Sequence, residues 1–304
     1  MSNSFIVKND YVSSRLDRWF RRNVCDVPQS LIEKNIRKGN IKINNKKKKS
    51  SYKLRENDLI TVKNINFSPN KNKKKLLNYK PTKKDLSSNS SFFIENNENF
   101  VVINKPSGIA VQSGTKSRRN ILDILKESKE FNNSLPFPVH RIDKETSGVL
   151  IVAKNRKYAQ LFTSLFRIRK IHKVYLGIVL GELDQIKGSF IDQLTSHEGK
   201  KIIKNKAITH YKVIDQQNNY SLLKLSPVTG RKHQLRKQLL MRGCPVLGDS
   251  KYRIHNNTRS KNQKLMLHAY KINFTINDKK YNFFADPPFF FKEMLKEKNL
   301  KISE

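Results

Sequence analysis

A single carboxylate in a basic loop is the first feature of this sequence that could do chemistry. Residues 140–155 read HRIDKETSGVLIVAKN, so Asp143 lies between Arg141 and Lys144, just before an apolar run at 149–153. Neighbouring positive charge keeps a carboxylate ionised, and that state suits a nucleophile or a base better than an acid. An aspartate at such a position more commonly caps a turn, and the residue types alone leave both interpretations open.

A second basic loop supplies the complementary charge. Residues 229–236 read TGRKHQLR and follow an apolar run at 222–225, with Gly230 permitting a tight bend. Arg231 fits either a surface phosphate contact or an ion pair with a carboxylate such as Asp143. Tyr175 opens a predicted strand that extends to residue 180, where an ordinary strand tyrosine would give the same pattern.

Several other chemistries are excluded by spacing. The seven histidines form no HxxxH or HExxH motif, and Cys25 and Cys244 lie far apart, so no metal site is expected. A GxxxxGK[ST] loop is absent, and HRxD lacks the rest of a kinase catalytic loop. Glu145 is too close in sequence to Asp143 for a glycosidase pair. We therefore expect cofactor-free chemistry at one carboxylate.

The charge of the chain points to a polyanionic partner. The 304 residues contain 62 Lys and Arg against 25 Asp and Glu, a net charge of +37. Such an excess favours binding to nucleic acid or to an anionic membrane surface. The first ten residues lack a signal-peptide core, and no apolar run approaches the length of a membrane span. Together with only two cysteines, this predicts a cytoplasmic protein without a membrane partner.

The elements that must position these residues divide the chain into three parts. A helix carrying Leu16, Trp19 and Phe20, a second helix ending at Gly39, and strands at 41–43 and 59–62 are predicted at the N-terminal end. Residues 68–91, rich in Lys, Ser and Asn, indicate a basic linker. We predict domains at 1–67 and 92–304, the larger with an amphipathic helix at 155–169.

The N-terminal elements are similar to a known RNA-binding module. Over residues 13 to 63, the run RLDRWFRR…VPQSLIEKNIRKGNIKINNKKKKSSYKLRENDLITV resembles the S4 domain. The resemblance implies that the two helices bind structured RNA. It assigns the phosphate contacts to Arg15, Lys34, Arg37 and Lys38.

The larger part resembles the RluA-type pseudouridine synthases over residues 95 to 292. The segments NKPSG, HRIDKETSGVLIVAKN, KVYLGIVLG, TGRKHQLR and LHAYKINF occur in the family's order and spacing. The fold implied is α+β: a small S4-type α/β domain, then a catalytic domain with a mixed, mainly antiparallel sheet and flanking helices. The activity implied is isomerisation of uridine to pseudouridine in RNA, by base flipping and without a cofactor.

The same resemblance implies a role for each site residue. Asp143 corresponds to the essential aspartate that starts chemistry at the sugar C1′, by attack on that carbon or by removal of a 2′ proton. Arg231 pairs with Asp143, and Tyr175 lies against the uracil ring and takes the C5 proton. Leu267 forms an apolar wall, and Arg141 fills the space that the flipped nucleotide leaves or contacts its backbone.

The substrate implied is large-subunit, 23S-type ribosomal RNA, as in the RluC-like group. We expect the protein to act as a monomer. Two alternatives remain at this point. One is a non-catalytic rRNA-binding or ribosome-assembly protein with the same fold. The other is a transfer-RNA pseudouridine synthase, although the family's small tRNA-directed members usually lack an S4 module.

Overall fold

The chain forms two compact units, Met1–Leu77 and Asn78–Glu304. The computed structural model describes residues 2–8, 11–25, 27–63, 65, 81, 92–113, 119–132, 134–198, 201–254 and 263–302. Except for Pro81, the predicted linker at 68–91 lies outside the described residues. The predicted domain boundaries at 67 and 92 therefore stay predictions.

The first unit packs two helices on a three-stranded antiparallel sheet. Its elements are β1 (Ser2–Ile6), α1 (Leu16–Asn23), α2 (Gln29–Lys38), β2 (Ile41–Ile43) and β3 (Leu59–Lys63), with strand order β1-β3-β2. Both predicted helices and both predicted strands are confirmed. Strand β1 was not predicted, because its short sequence SNSFI lacks an apolar alternation.

The apolar faces of α1 and α2 form the core of this unit, with Leu16, Phe20 and Ile32 fully buried. Gly39 ends α2 at φ +80°, in the left-handed conformation that glycine adopts without strain. Lys34, Arg37 and Lys38 lie on the exposed side of α2.

The second unit is built on a ten-stranded sheet with helices against it. Its strands are β4 (Phe93–Asn96), β5 (Phe100–Lys105), β6 (Phe137–Pro138), β7 (Ser147–Ala153), β8 (His172–Leu180), β9 (Lys187–Glu198), β10 (Lys201–Gln217), β11 (Tyr220–Pro227), β12 (Leu267–Ile276) and β13 (Lys279–Phe284). Its helices are α3 (Ile121–Lys126), α4 (Arg156–Arg167), α5 (Gln234–Met241) and α6 (Phe289–Glu297).

The strand order is β4-β5-β7-β12-β8-β11-β10-β9, with β13 beside β12 and β6 beside β7. Among the described strands, β7 and β12 form the one parallel pair, with His268 opposite Ser147. The predicted mixed, mainly antiparallel sheet is confirmed. The long β9–β10 hairpin was not predicted, because polar residues occupy much of both strands.

A close backbone approach fixes β7 against its parallel neighbour β12. Gly148 has φ +109°, and a Cβ there would overlap the carbonyl oxygen of Ala269. His268, completely buried, adds a bond on each side: its Nδ1 lies 2.8 Å from Ser147 Oγ and its Nε2 2.8 Å from the Ala285 carbonyl oxygen. The start of β7, which follows the Asp143 loop, is thereby held in place.

In the part of the chain that the structure describes, no helix has the length and apolar character needed to cross a membrane.

Candidate active site

A cavity of about 750 Å³ in the second unit is lined by residues from the loop before β7, strand β8, the start of β12 and the loop that leads into α5. This volume is typical of sites for small organic groups. Five predicted residues line it together: Arg141, Asp143, Tyr175, Arg231 and Leu267. The other four, Arg15, Lys34, Arg37 and Lys38, belong to the first unit.

The loop that carries Asp143 is tied to the end of β5. Lys105 is completely buried, and its ammonium donates to the carbonyl oxygens of Pro106 at 2.7 Å, Ile109 at 2.9 Å and Lys144 at 3.2 Å. Burial lowers the pKa of Lys105 to about 7, against the opposing charges of Asp143 and Glu145. Three acceptors match the three N–H bonds of an ammonium, so Lys105 holds the loop rather than reacting.

Arg236, not Arg231, is the partner of Asp143. Arg236 Nη1 donates to Asp143 Oδ2 at 3.3 Å, whereas Arg231 Nε donates to the Lys206 carbonyl oxygen at 3.1 Å. The prediction that Arg231 pairs with Asp143 is therefore wrong. Helix α5 begins at Gln234 and turns Arg236 inward, to 4% exposure, while Arg231 stays in the preceding loop with its side chain exposed.

Arg236 is itself clamped by a second carboxylate. Its Nε and Nη2 donate to the two oxygens of Asp249 at 2.6 and 2.7 Å. Burial disfavours the charge on Arg236, but the bonds to Asp249 outweigh burial, and the pKa of Arg236 is raised. Burial also acts to raise the pKa of Asp249, yet the bonds from Arg236 and two backbone N–H groups lower it. Both groups are thus charged at neutral pH.

His233 approaches Asp143 from the other side. Its Nε2 lies 3.7 Å from Asp143 Oδ1, and its Nδ1 shares a 2.9 Å hydrogen bond with the hydroxyl of Tyr252. Burial lowers the pKa of His233, Asp143 opposes that effect, and the cations Arg236, Lys251 and Lys232 add to it. His233 also has φ +54°, a strained conformation of the kind that clusters at functional sites.

Tyr175 lies at the centre of the sheet. On β8, it stands opposite Leu225 of β11 and Ala269 of β12, and it lines the cavity. Burial, followed by the charge of Asp143, raises the pKa of Tyr175. The phenol is therefore protonated at neutral pH, which suits contact with a substrate ring better than proton abstraction.

The cavity is strongly cationic. Among the described residues that line it, Asp143 is the only carboxylate, whereas seven are Lys or Arg: Arg141, Arg167, Arg169, Lys173, Arg231, Lys232 and Arg236. Burial lowers the pKa of the Lys173 amine. A cleft with this charge attracts a polyanion.

The loop before α5 owes its shape to a buried amide. Gln234 accepts from the Arg231 N–H and the Thr229 hydroxyl, and it donates to Ile208 and Thr209 of β10. Because Gln234 is 5% exposed and opens α5, these bonds fix where the helix starts. The same bonds therefore fix the position of Arg236, which lies two residues later in the helix.

The predicted set of site residues lacked Lys105, His233, Arg236 and Asp249. For Lys105 the sequence offers one signal: it ends an apolar strand and directly precedes Pro106. Asp249 follows Gly248, whose φ of +77° marks a tight turn. The contacts that bring these residues together at the site, such as Arg236 with Asp143 and Lys105 with Lys144, join positions far apart in sequence, which no local pattern reveals.

Comparison with known proteins identifies the family of the chain. The model of the RNA pseudouridylate synthase family matches residues 99–240. A protein of Buchnera aphidicola subsp. Baizongia pistaciae named "Ribosomal large subunit pseudouridine synthase C" is 33% identical over 93% of each chain. The protein of the same name in Rickettsia conorii is 34% identical over 80% of this chain and 84% of its own.

Among solved structures, human RNA pseudouridylate synthase domain containing 4 superposes with a TM-score of 0.63 at 26% identity, covering 72% of this chain and 97% of its own. Fold and site thus define an enzyme of the pseudouridine synthase class. The chain belongs to the RNA pseudouridylate synthase family, as the sequence motifs predicted. Because the family model and the relatives identify the chain as an RNA pseudouridine synthase, the alternative of a non-catalytic RNA-binding protein is set aside.

Proposed function

We propose that this enzyme converts uridine to pseudouridine in large-subunit, 23S-type ribosomal RNA, and that Asp143 starts the reaction at C1′ of the target nucleotide. One observation carries the catalytic part: Asp143 is the only carboxylate among the described residues lining a cationic cavity. The names of the relatives in Buchnera and Rickettsia support the choice of ribosomal RNA.

The reaction needs no redox step, since it is an isomerisation. The bond between N1 and C1′ breaks, the uracil turns and a bond between C5 and C1′ forms; C5 then loses its proton to water and N1 takes one from water. Asp143 acts in one of two ways. Either its oxygen bonds to C1′ as N1 leaves, and that bond breaks when C5 bonds to C1′, or the carboxylate takes the 2′ proton and returns it to C2′ at the end. Both routes require an ionised carboxylate. Arg236 Nη1, at 3.3 Å from Asp143 Oδ2, donates a charge-assisted hydrogen bond that orients the carboxylate.

Tyr175 and Leu267 then provide the surfaces that receive the flipped base. Tyr175 is held between two neighbouring strands, and Leu267 begins β12 opposite Gly177. Flipping a nucleotide costs a few kcal/mol of unstacking. In this proposal, phosphate contacts by Arg141 and Arg231 at the cavity offset that cost.

The first unit is proposed as an S4-type RNA-binding domain. Lys34, Arg37 and Lys38 of α2 are exposed, which supports their assignment as phosphate contacts. Arg15 is less free, because its Nε and Nη2 donate to Asp17 at 3.1 and 2.6 Å. The three α2 cations therefore carry the main part of this proposal.

Unmodified 23S ribosomal RNA and a pool of unmodified transfer RNAs test the substrate. Each is incubated with the purified enzyme, and pseudouridines are then mapped by chemical labelling and primer extension. The proposal predicts modification at defined uridines of the 23S RNA and none in the transfer RNAs. Modification of transfer RNA alone would overturn the substrate and leave the reaction standing.

A further inference from the structure

A lysine in the wall of the cavity has no anionic partner among the described residues. Lys173, on β8, lines the cavity, and no described carboxylate or carbonyl oxygen lies within bonding distance of its ammonium. We propose that Lys173 binds a phosphate that adjoins the flipped nucleotide and so forms a phosphate subsite inside the cavity. The inference rests on the proposed function and deepens it by assigning a substrate contact that neither Asp143 nor Tyr175 supplies.

The strand places Lys173 close to the residue that receives the base. Lys173 and Tyr175 are two positions apart on β8, so their side chains point to the same face of the sheet, with Cα atoms about 7 Å apart. Both side chains line the cavity. Their separation is comparable with that between the base and a phosphate of one nucleotide. A uridine whose ring lies on Tyr175 can therefore bring a phosphate to Lys173.

The groups around the Lys173 ammonium are neutral. The centroid of the Phe166 ring lies 6.0 Å from Lys173 Nζ, the outer limit of a cation–π contact. The His140 ring packs on Phe166 with centroids 4.8 Å apart, and its Nε2 accepts from the Ile151 N–H at 2.9 Å. Burial, followed by the charge of Lys173, lowers the pKa of His140 to about 3, so this imidazole is uncharged at neutral pH. Neither ring supplies a counter-charge.

The position is therefore unfavourable for a cation until an anion arrives. Burial lowers the pKa of the Lys173 amine, because a charged group loses hydration there without gaining an opposite charge. Its three N–H bonds also have no acceptor among the described residues. A phosphate oxygen supplies both the acceptor and the negative charge.

The cavity gives a phosphate access to the ammonium. A Cβ on Gly230 would stand 4.0 Å from Lys173 Nζ, so glycine at this position keeps a side chain of the loop before α5 away from the ammonium. Arg167 and Arg169, which are exposed and lie at the end of α4, line the same cavity. Positive charge of this kind attracts the RNA backbone to the cavity.

A lysine can also fill such a position with its apolar stem while its ammonium reaches water. Lys173→Met separates the two roles, because methionine keeps an unbranched apolar stem and removes the charge. In single-turnover conversion of 23S RNA, we expect this variant to need about ten- to a hundredfold more enzyme for the half-maximal rate, with the maximal rate within about threefold of wild type. The slope of log affinity against log salt should fall by about 0.7 to 0.9, as for one lost phosphate contact.

Lys170→Met is the matched control. Lys170 is exposed, lies three residues before Lys173, and is not among the described residues that line the cavity. Its removal takes the same charge from the chain and should leave the half-saturating enzyme concentration within about twofold of wild type. Equal weakening by the two variants would overturn the inference, because the effect would then be one of net charge.

Neutral linkages identify the group that Lys173 contacts. A fragment of 23S RNA with a uridine that the wild type modifies is made with one methylphosphonate, on the 5′ side of that uridine in one sample and on the 3′ side in another. The nucleotide preceding the linkage carries 2′-deoxyribose for stability, and the same deoxyribose with an ordinary phosphate is the reference. One of the two linkages should weaken binding to wild type about as much as Lys173→Met does. The same linkage should have little further effect in Lys173→Met, because its partner is already gone.

Two results of these measurements would overturn the inference. In the first, the effects of Lys173→Met and of each linkage are additive, so that Lys173 contacts neither phosphate. In the second, Lys173→Met lowers the maximal rate at unchanged half-saturation, so that the amine acts in the chemistry and not in binding. If Lys173→Met does not fold, the wild type alone decides, since unweakened binding of both neutral linkages contradicts a phosphate subsite. Failure of the proposed function looks different, because the wild type would then form no pseudouridine in 23S RNA.

Discussion

At the scale of residues, two arginines five positions apart have separate tasks. Arg236 is buried and pairs with two carboxylates, whereas Arg231 is exposed and donates to a backbone carbonyl oxygen. Arg236→Lys should lower kcat by about a hundredfold, because a lysine cannot bond Asp249 in bidentate fashion while reaching Asp143.

Arg231→Lys is the control for that prediction, since it preserves the charge of a surface position. We expect its kcat to stay within about threefold of wild type, which corresponds to about 0.7 kcal/mol in the activation free energy. Steady-state kinetics on 23S RNA measures both. If Arg231→Lys loses turnover while Arg236→Lys keeps it, the assignment of the ion pair is reversed.

This distinction also shows what the sequence reveals at this scale. Its motifs were enough to select Asp143, Tyr175, Arg141 and Leu267, and all four line one cavity in the structure. The choice between Arg231 and Arg236 depends on the residue at which α5 begins. A shift of one or two residues in a helix start changes which side chain points inward, and sequence patterns do not resolve such a shift.

At the scale of elements, the close pairing of β7 with β12 sets the position of the Asp143 loop. Gly148→Ala should lower the free energy of unfolding by about 3 kcal/mol, because a methyl group would overlap the Ala269 carbonyl oxygen and the φ of +109° disfavours alanine. Urea denaturation followed by circular dichroism measures this effect.

Gly243→Ala separates backbone strain from overlap. Gly243 has φ +73°, but no neighbouring atom lies within 4 Å of the point where an alanine Cβ would stand, so its loss should be about 1 kcal/mol. If both variants lose the same free energy of unfolding, the close approach of β7 and β12 does not restrict the residue at position 148.

Helix α2 carries the prediction about RNA docking. Lys34→Ala combined with Lys38→Ala should weaken binding to 23S RNA and reduce the slope of log affinity against log salt by about 0.7 to 0.9 for each phosphate that is no longer neutralised. Because these residues belong to the first unit, kcat should be unchanged. Filter binding over a series of salt concentrations gives the slope.

Lys296→Ala combined with Lys292→Ala removes the same charge from exposed positions of α6. If this control reduces the slope as much as the α2 variant does, the effect is one of net charge and not of a docking surface.

The element scale was the most predictable from sequence. Helices α1, α2 and α4 and strands β2, β3, β7, β8 and β11 follow their apolar periodicity. The exceptions have a common cause. Strand β1 and the β9–β10 hairpin contain too few apolar residues for a pattern, and they are stabilised by pairing with neighbouring strands.

At the scale of the whole molecule, two histidines that are neutral in the folded protein, the half-buried His140 and the buried His268, make stability depend on pH. Burial lowers the pKa of His140 to about 3 and that of His268 to about 4. Unfolded histidine takes up a proton near pH 6.5, whereas these two in the folded protein do not until far lower pH. The free energy of unfolding should therefore fall as pH drops below 6.5, by up to about 1.4 kcal/mol per pH unit for each histidine.

Urea midpoints at pH 7, 6 and 5 measure this dependence. His268→Gln should flatten it by about half, because one of the two neutral imidazoles is gone, while His172→Gln alters an exposed residue and should not. A wild-type midpoint that does not change between pH 7 and 5 would contradict the neutral state of both His140 and His268.

The net charge of +37 also has meaning only at this scale. Sequence composition predicted a polyanionic partner, and the cationic lining of the cavity and the exposed cations of α2 place part of that charge on separate surfaces of the two units. Composition gives the sign of the partner's charge, but not which cations face substrate, because that depends on contacts between distant residues.

The central claim, that Asp143 performs the chemistry, is tested most directly by single-turnover conversion of 23S RNA with Asp143→Asn. Glu145→Gln, an exposed neighbour on the same loop, is the matched control. We expect Asp143→Asn to bind the RNA with wild-type affinity and form no pseudouridine, while Glu145→Gln remains active. Pseudouridine formed by Asp143→Asn at the wild-type rate would contradict the claim.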